Sequence, residues 1–192
     1  VTETAYHGIT DTVSQFSPSL GVDVDLGPHV RLVTAPCQYH AEGEDLGERF
    51  TQDVQAAIAD LQRHGIKPAV LIVDSLFTSD GILPGSKGFL KGAVEAIKQA
   101  GGLFIADEVQ PGFGRTGEPM WGFQRHCVLP DIVPLGKPMG NGQPIARLSA
   151  TADVLAEHRH GSRYSHSIAG HTVSCAAAVA ESNTISQDRL ID

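Results

Sequence analysis

Leu103-Phe104-Ile105-Ala106-Asp107-Glu108-Val109-Gln110 sets an unbroken apolar run directly before two acids. Such a run, bounded by the pair Gly101-Gly102, reads as a short strand buried on both faces. Ahead of it, from Ser86 onward, Leu90, Val94 and Ile97 share one helical face. Earlier still, residues 69–73 form another apolar run. Before that run, Val54, Ile58 and Leu61 repeat the helical spacing between an N-cap at Thr51 and a stop at Gly65. Downstream, residues 130–135 and 145–150 are strand candidates, with Pro134 awkwardly placed. Thr151 caps a short helix through Val154, Leu155 and Glu157, and residues 172–182 read as an Ala-rich helix. Residues 30–33 are a further strand candidate, and residues 37–50 an acidic loop. Strand alternating with helix predicts an α/β fold, a mostly parallel sheet covered by helices. Right-handed crossovers then gather the strand carboxyl ends on one rim, where ligands bind.

Composition bounds the function classes. The chain has 192 residues, 14 Lys plus Arg against 22 Asp plus Glu, and a formal net charge of −8. At 41 % hydrophobic residues it can bury a sizeable core, which excludes wholesale disorder. The acidic balance argues against nucleic acid and anionic membrane as partners. No stretch is apolar for long enough to span a membrane as a helix. Three widely spaced cysteines, Cys37, Cys127 and Cys175, form no C-x-x-C, so a reducing, cytoplasmic setting is expected. His158, His160, His166 and His171 crowd one region without the spacing of a zinc site, so no metal is expected. Residues 1–5 show no basic start leading into an apolar core, so no targeting segment is expected. A start at Val1 rather than Met fits either processing or part of a longer protein, and the resemblance described below makes the second the expectation.

The rim is where chemistry is to be sought. Asp74-Ser75 follows the first long apolar run, and Asp107 through Gln110 follows the second. Gly136-Lys137-Pro138-Met139-Gly140-Asn141-Gly142 follows the third. Acids and one lysine thus converge. A buried Asp–Lys pair is the plain alternative, but the glycines around Lys137 suit a loop whose backbone approaches a ligand closely. Gly112-Phe113-Gly114-Arg115-Thr116-Gly117 matches the dinucleotide pattern G-x-G-x-x-G. Glu118-Pro119 follows instead of a helix, and two acids stand where a pyrophosphate would be repelled. The apolar run ending in Asp107-Glu108 is also compatible with a Walker-B strand, yet the lone Gly136-Lys137 is followed by Pro138 and not by Ser or Thr.

The block from Ile105 to Gly117, taken with Pro130 to Gly142, closely resembles the class III aminotransferases, pyridoxal-phosphate enzymes of fold type I. Ala5-Tyr6-His7-Gly8 is similar to the family's aromatic-His-Gly motif, and residues 164–178 to its Thr-x-Gly-Gly-Asn-Pro region. The resemblance implies pyridoxal 5'-phosphate as cofactor, held as a Schiff base by Lys137, which also shuttles the proton at the substrate carbon. It implies Asp107 as partner of the pyridine nitrogen and Gln110 as partner of the ring hydroxyl. Val109 and Tyr6 would cover the two ring faces, Tyr6 within the motif that continues through His7 and Gly8. Ser167 corresponds to the threonine that reaches the phosphate of the neighbouring subunit's cofactor, so a homodimer is implied. Asp74 stands where the family has an acid near the substrate. Small amines and keto acids are the implied substrates. Amino-group transfer is the implied reaction; a lyase, decarboxylase or aminomutase of the same fold, or an inactive truncated chain, are the alternatives.

The chemistry asks for these residue types. A flexible primary amine whose pKa falls on burial is a property of Lys alone. The cofactor delocalises a substrate carbanion best when its ring nitrogen holds a proton. The sequence also departs from the family pattern. Pro111 replaces the usual Thr, and Asp74-Ser75-Leu76-Phe77 replaces Glu-Pro-hydrophobic-Gln, which leaves the substrate open. Residues 168–172 depart from Phe-Gly-Gly-Asn-Pro. On the family pattern, a phosphate-cradling loop would precede Tyr6. A small C-terminal domain, with the Arg that grips a substrate carboxylate, would follow Asp192. Residues 1–192 are therefore expected to be the central part of a large cofactor-binding domain.

Overall fold

A computed structural model describes residues 1–40, 43 and 45–191 of the chain. Ala41, Glu42 and Glu44 of the expected acidic loop, and Asp192, lie outside the described residues. One four-stranded sheet runs in the order β1 (Val70–Asp74), β2 (Leu103–Asp107), β3 (Ile132–Leu135), β4 (Arg147–Ala150). β1 and β2 are parallel, in a register that sets Asp74 beside Asp107. β3 continues parallel to β2, with Ile132 opposite Ile105. Pro134 fits within β3 because its carbonyl is what the fold uses, accepting from the Glu108 N–H at 3.1 Å.

Three expectations need correction. β4 runs antiparallel to β3, so its carboxyl end leaves the shared rim. The connection at 136–146 is made of turns, and a turn returns the chain antiparallel, whereas a parallel neighbour needs a long crossover. Residues 30–33 form no strand, and Val33 makes a single isolated bridge to Thr2. The second helix starts before Thr51. After a short α1 (Asp11–Ser14), α2 spans Leu46–Arg63. Asp45 caps it, accepting from Gly47 N at 2.8 Å and Glu48 N at 3.1 Å, which a carboxylate does at least as well as a threonine hydroxyl. Thr51 lies inside, its hydroxyl donating back to the Gly47 carbonyl at 2.7 Å.

α2 packs against α3 (Lys91–Gln99), and α3 against β1 and β2. Alternate residues of the strands, Leu71 and Val73, Phe104 and Ala106, join Phe50, Val54, Val94 and Ile97 in one buried core. Each large apolar side chain buried there contributes roughly 1.5–3 kcal/mol. α4 (Ala152–Gly161) buries no residue, and α5 (Thr172–Gln187) buries only Ser174 and Ala178. No helix turn opens after Gly117, so the glycine pattern at 112–117 forms successive turns. Among the described residues no helix is long and apolar enough to cross a membrane.

The core ends on His126, in the 3-10 helix Gly122–His126, which meets Phe89 edge-on at 4.8 Å. Burial, and then the Arg125 charge, hold its pKa down to about 4. A base whose pKa is lower in the folded chain than its usual value near 6.5 stabilises the fold fully above that value. That stabilisation disappears as the pH falls through about 4. Against a His126→Phe variant, the wild-type chain is expected to lose about 3 kcal/mol between pH 7 and pH 4. Thermal melts across that range should show the gap in Tm shifting by roughly 10 °C.

Candidate active site

Asp107 closes β2 and is 5 % exposed. Its Oδ1 accepts from the Val109 N–H at 3.0 Å, and its Oδ2 lies 2.7 Å from His7 Nδ1. An ionised carboxylate only accepts, so the imidazole proton facing it sits on Nδ1. His7 Nε2 is buried without a partner. His7 is itself held by its backbone N–H donating to Ser17 Oγ at 3.0 Å, and Gly8 turns the chain away at φ +138°, a conformation that requires glycine. Tyr6 donates its backbone N–H to Ser79 Oγ at 3.1 Å, and the residue is 39 % exposed. Asp80 accepts from the hydroxyls of Thr2 at 2.8 Å and Thr4 at 2.5 Å. The turn after β1 therefore fixes the whole segment that delivers His7 to Asp107.

Glu108 is fully buried, and its carboxyl accepts from the Gly122 N–H at 2.7 Å and the Phe123 N–H at 2.9 Å. Ser75 Oγ adds a third donor at 3.5 Å. Burial raises its pKa to about 7 against the pull of those two backbone bonds, and the neighbouring Asp74 and Asp107 push in the same direction as burial. Glu108 thus ties the end of β2 to the 3-10 helix. Asp74 is also spent internally. Its oxygens accept from Leu76 N at 2.8 Å and Thr78 N at 3.2 Å, and from the Thr78 hydroxyl. Burial raises its pKa in spite of those bonds. Gln110 Nε2 donates to Thr78 Oγ1 at 2.6 Å.

Lys137 follows β3, is exposed, and lines a cleft of about 770 Å³ together with Val109. Gly136 permits this approach, since a Cβ there would stand 3.3 Å from Val109 Cγ1. The far wall comes from the segment between α4 and α5, with Tyr164, His166 and His171. Ser167 lies on that segment and is exposed. Neither Ser167 nor the Tyr6 ring makes a side-chain hydrogen bond among the described residues. The cleft lining contains no acid, although the chain carries a net charge of −8. The ionisable groups of that cleft are thus Lys137, Tyr164 and two histidines, and none of the three acids at the ends of β1 and β2 lines it.

These residues fit a pyridoxal phosphate. Asp107 is a buried carboxylate that no Lys or Arg neutralises among the described residues, and two of its roughly four acceptor positions are filled. It can still take a ring N–H. Lys137 lines the same cleft as Val109, whose side chain offers an apolar face there. His7, Asp107 and Val109 are brought together as a unit, and Lys137 joins through Val109. Sequence reasoning missed Ser17, Thr78, Ser79 and Asp80. The run Thr78-Ser79-Asp80, polar and just past a strand end, was the available signal.

The family model for class III aminotransferases matches residues 1–192. An alanine–glyoxylate aminotransferase 2-like protein of Drosophila melanogaster is 32 % identical over 198 residues, covering 97 % of this chain and 40 % of that protein. An ethanolamine-phosphate phospho-lyase homolog of Caenorhabditis elegans is 30 % identical over 211 residues, covering 100 % of this chain and 45 % of that one. Among solved structures, a phospholyase from Arthrobacter in complex with phosphoethanolamine superposes with a TM-score of 0.91 at 39 % identity, covering 99 % of this chain and 46 % of that one. The chain spans less than half the length of each.

Proposed function

Because this chain belongs to the class III aminotransferases, we propose that it binds pyridoxal 5'-phosphate at Lys137 and transfers an amino group from an amine or amino acid to a keto acid or aldehyde. The observation that supports this most is the buried Asp107, held by His7 and Val109, with Val109 shared by the cleft that Lys137 enters. The bound cofactor supplies an aldehyde carbon and an electron-withdrawing ring. Lys137 Nζ holds the cofactor covalently and then moves the proton at the substrate carbon. Asp107 keeps a proton on the ring nitrogen. Val109 and Tyr6 exclude water from the ring faces, and Gln110 holds the ring hydroxyl. A second copy of the chain is expected to complete the site through Ser167.

A second reading, release of phosphate from a phosphorylated amine, has its own support. The phospholyase structure at 39 % identity carries phosphoethanolamine. A cleft with two histidines and no acid suits an anionic substrate. Borohydride reduction in the presence of pyridoxal phosphate, followed by peptide mapping, should label Lys137. An unlabelled Lys137 would leave only a structural role. With the label in place, incubation with alanine and glyoxylate should yield pyruvate and glycine in equal amounts. Inorganic phosphate from phosphoethanolamine without that exchange would move the assignment to the second reading.

A further inference from the structure

Three side chains form a relay from the end of β1 to the end of β2. Thr78 Oγ1 has one hydrogen, and two neighbours compete for it, Asp74 and Gln110. Asp74 already receives the Leu76 N–H at 2.8 Å and the Thr78 N–H at 3.2 Å, and the Thr78 hydroxyl points at the same carboxyl. Three donors around one carboxyl define it as the acceptor. The Thr78 hydrogen therefore goes to Asp74, and Thr78 Oγ1 can only accept on its other side. Gln110 lies 2.6 Å away on that side, so its amide must face Thr78 with nitrogen. This donor order assigns the two ends of the Gln110 amide, which look alike by shape.

We propose that Asp74 and Thr78 are positioning residues that lock the Gln110 amide, committing one Nε2 hydrogen to the turn after β1 and leaving Oε1 and the second Nε2 hydrogen for the ligand. A hydroxyl that both donates and accepts, such as the ring hydroxyl of a vitamin B6 cofactor, matches that remaining pair. The ligand class rests on the function proposed above; the relay does not. Asp74 is then committed to this turn, with three of its roughly four acceptor positions taken from within.

The test follows the Gln110 side-chain amide by NMR in the 192-residue chain. In the wild type the Nε2 proton donated to Thr78 should exchange slowly. Thr78→Val should speed exchange about five- to tenfold, the worth of one hydrogen bond, and Thr78→Ser should restore the slow rate. Asp74→Asn provides a second variant. Its amide can donate to Thr78, which would reverse the relay and release Nε2, again speeding exchange. Added pyridoxal phosphate should show a ring-absorbance pH midpoint displaced in Thr78→Val and normal in Thr78→Ser, a signature that loss of packing alone would not produce. Equal exchange in the wild type, Thr78→Val and Asp74→Asn overturns the relay, even if Lys137 holds the cofactor. The expected exchange pattern in a chain that Lys137 never labels would uphold the relay and reject the proposed function.

Discussion

With Lys137 replaced by alanine, the chain is expected to retain no covalently bound cofactor and to lose turnover by at least about a thousandfold. Two functions vanish together, attachment of the cofactor and movement of a proton, and general acid–base help alone is worth about 10²–10⁴-fold. The exposed position of Lys137 in a turn after β3 means that the fold should survive, because no core contact is removed. Absorbance of the purified protein after incubation with pyridoxal phosphate and borohydride gives the first readout. Turnover with an amine donor gives the second. An alanine variant that still traps the cofactor at another lysine would refute the assignment.

Asp107→Asn is expected to lower turnover by two to three orders of magnitude. A carboxylate about 4 Å from a ring nitrogen contributes roughly 4 kcal/mol at an effective dielectric of ~20. That holds the nitrogen's proton by about three additional pKa units. Asn removes the charge while keeping the shape. Its single oxygen can serve either the His7 Nδ1–H or the Val109 N–H, which Asp107 serves with separate oxygens. Some slackening of Val109 should therefore accompany the lost charge. Measuring turnover and thermal stability together separates the two, since the charge effect appears in turnover at nearly constant Tm. Turnover within a fewfold of wild type would mean that Asp107 meets no ring nitrogen.

Much of this was legible in the residues because the carrying signals are local. The apolar runs before Asp74 and Asp107 become β1 and β2 almost to the residue, since each run is too short for a helix and, for β2, is bounded by the glycine pair 101–102. The helix at Leu90, Val94 and Ile97 forms for the same reason of spacing. The start of α2 was misplaced because Thr51 and Asp45 are both competent caps, and packing of Phe50 into the core decides for the earlier one. The direction of β4 depends on what the connection after Lys137 does, and a glycine-rich stretch fits a turn as readily as a cradle. Asp74 stands at the rim as expected, beside Asp107, but the turn through Thr78 that closes on its carboxyl had no signal in the spacing. The contact between His7 and Asp107 spans 100 residues and left no trace in spacing.

β1 is one of the two edge strands of the sheet, and its first residue, Val70, is 43 % exposed while Leu71 to Val73 are buried. Its outer row of main-chain amides and carbonyls meets no further strand among the described residues. Because Leu71, Ile72, Val73 and Asp74 are buried, only the first residue of that margin faces solvent, and little of it is offered to another chain for pairing.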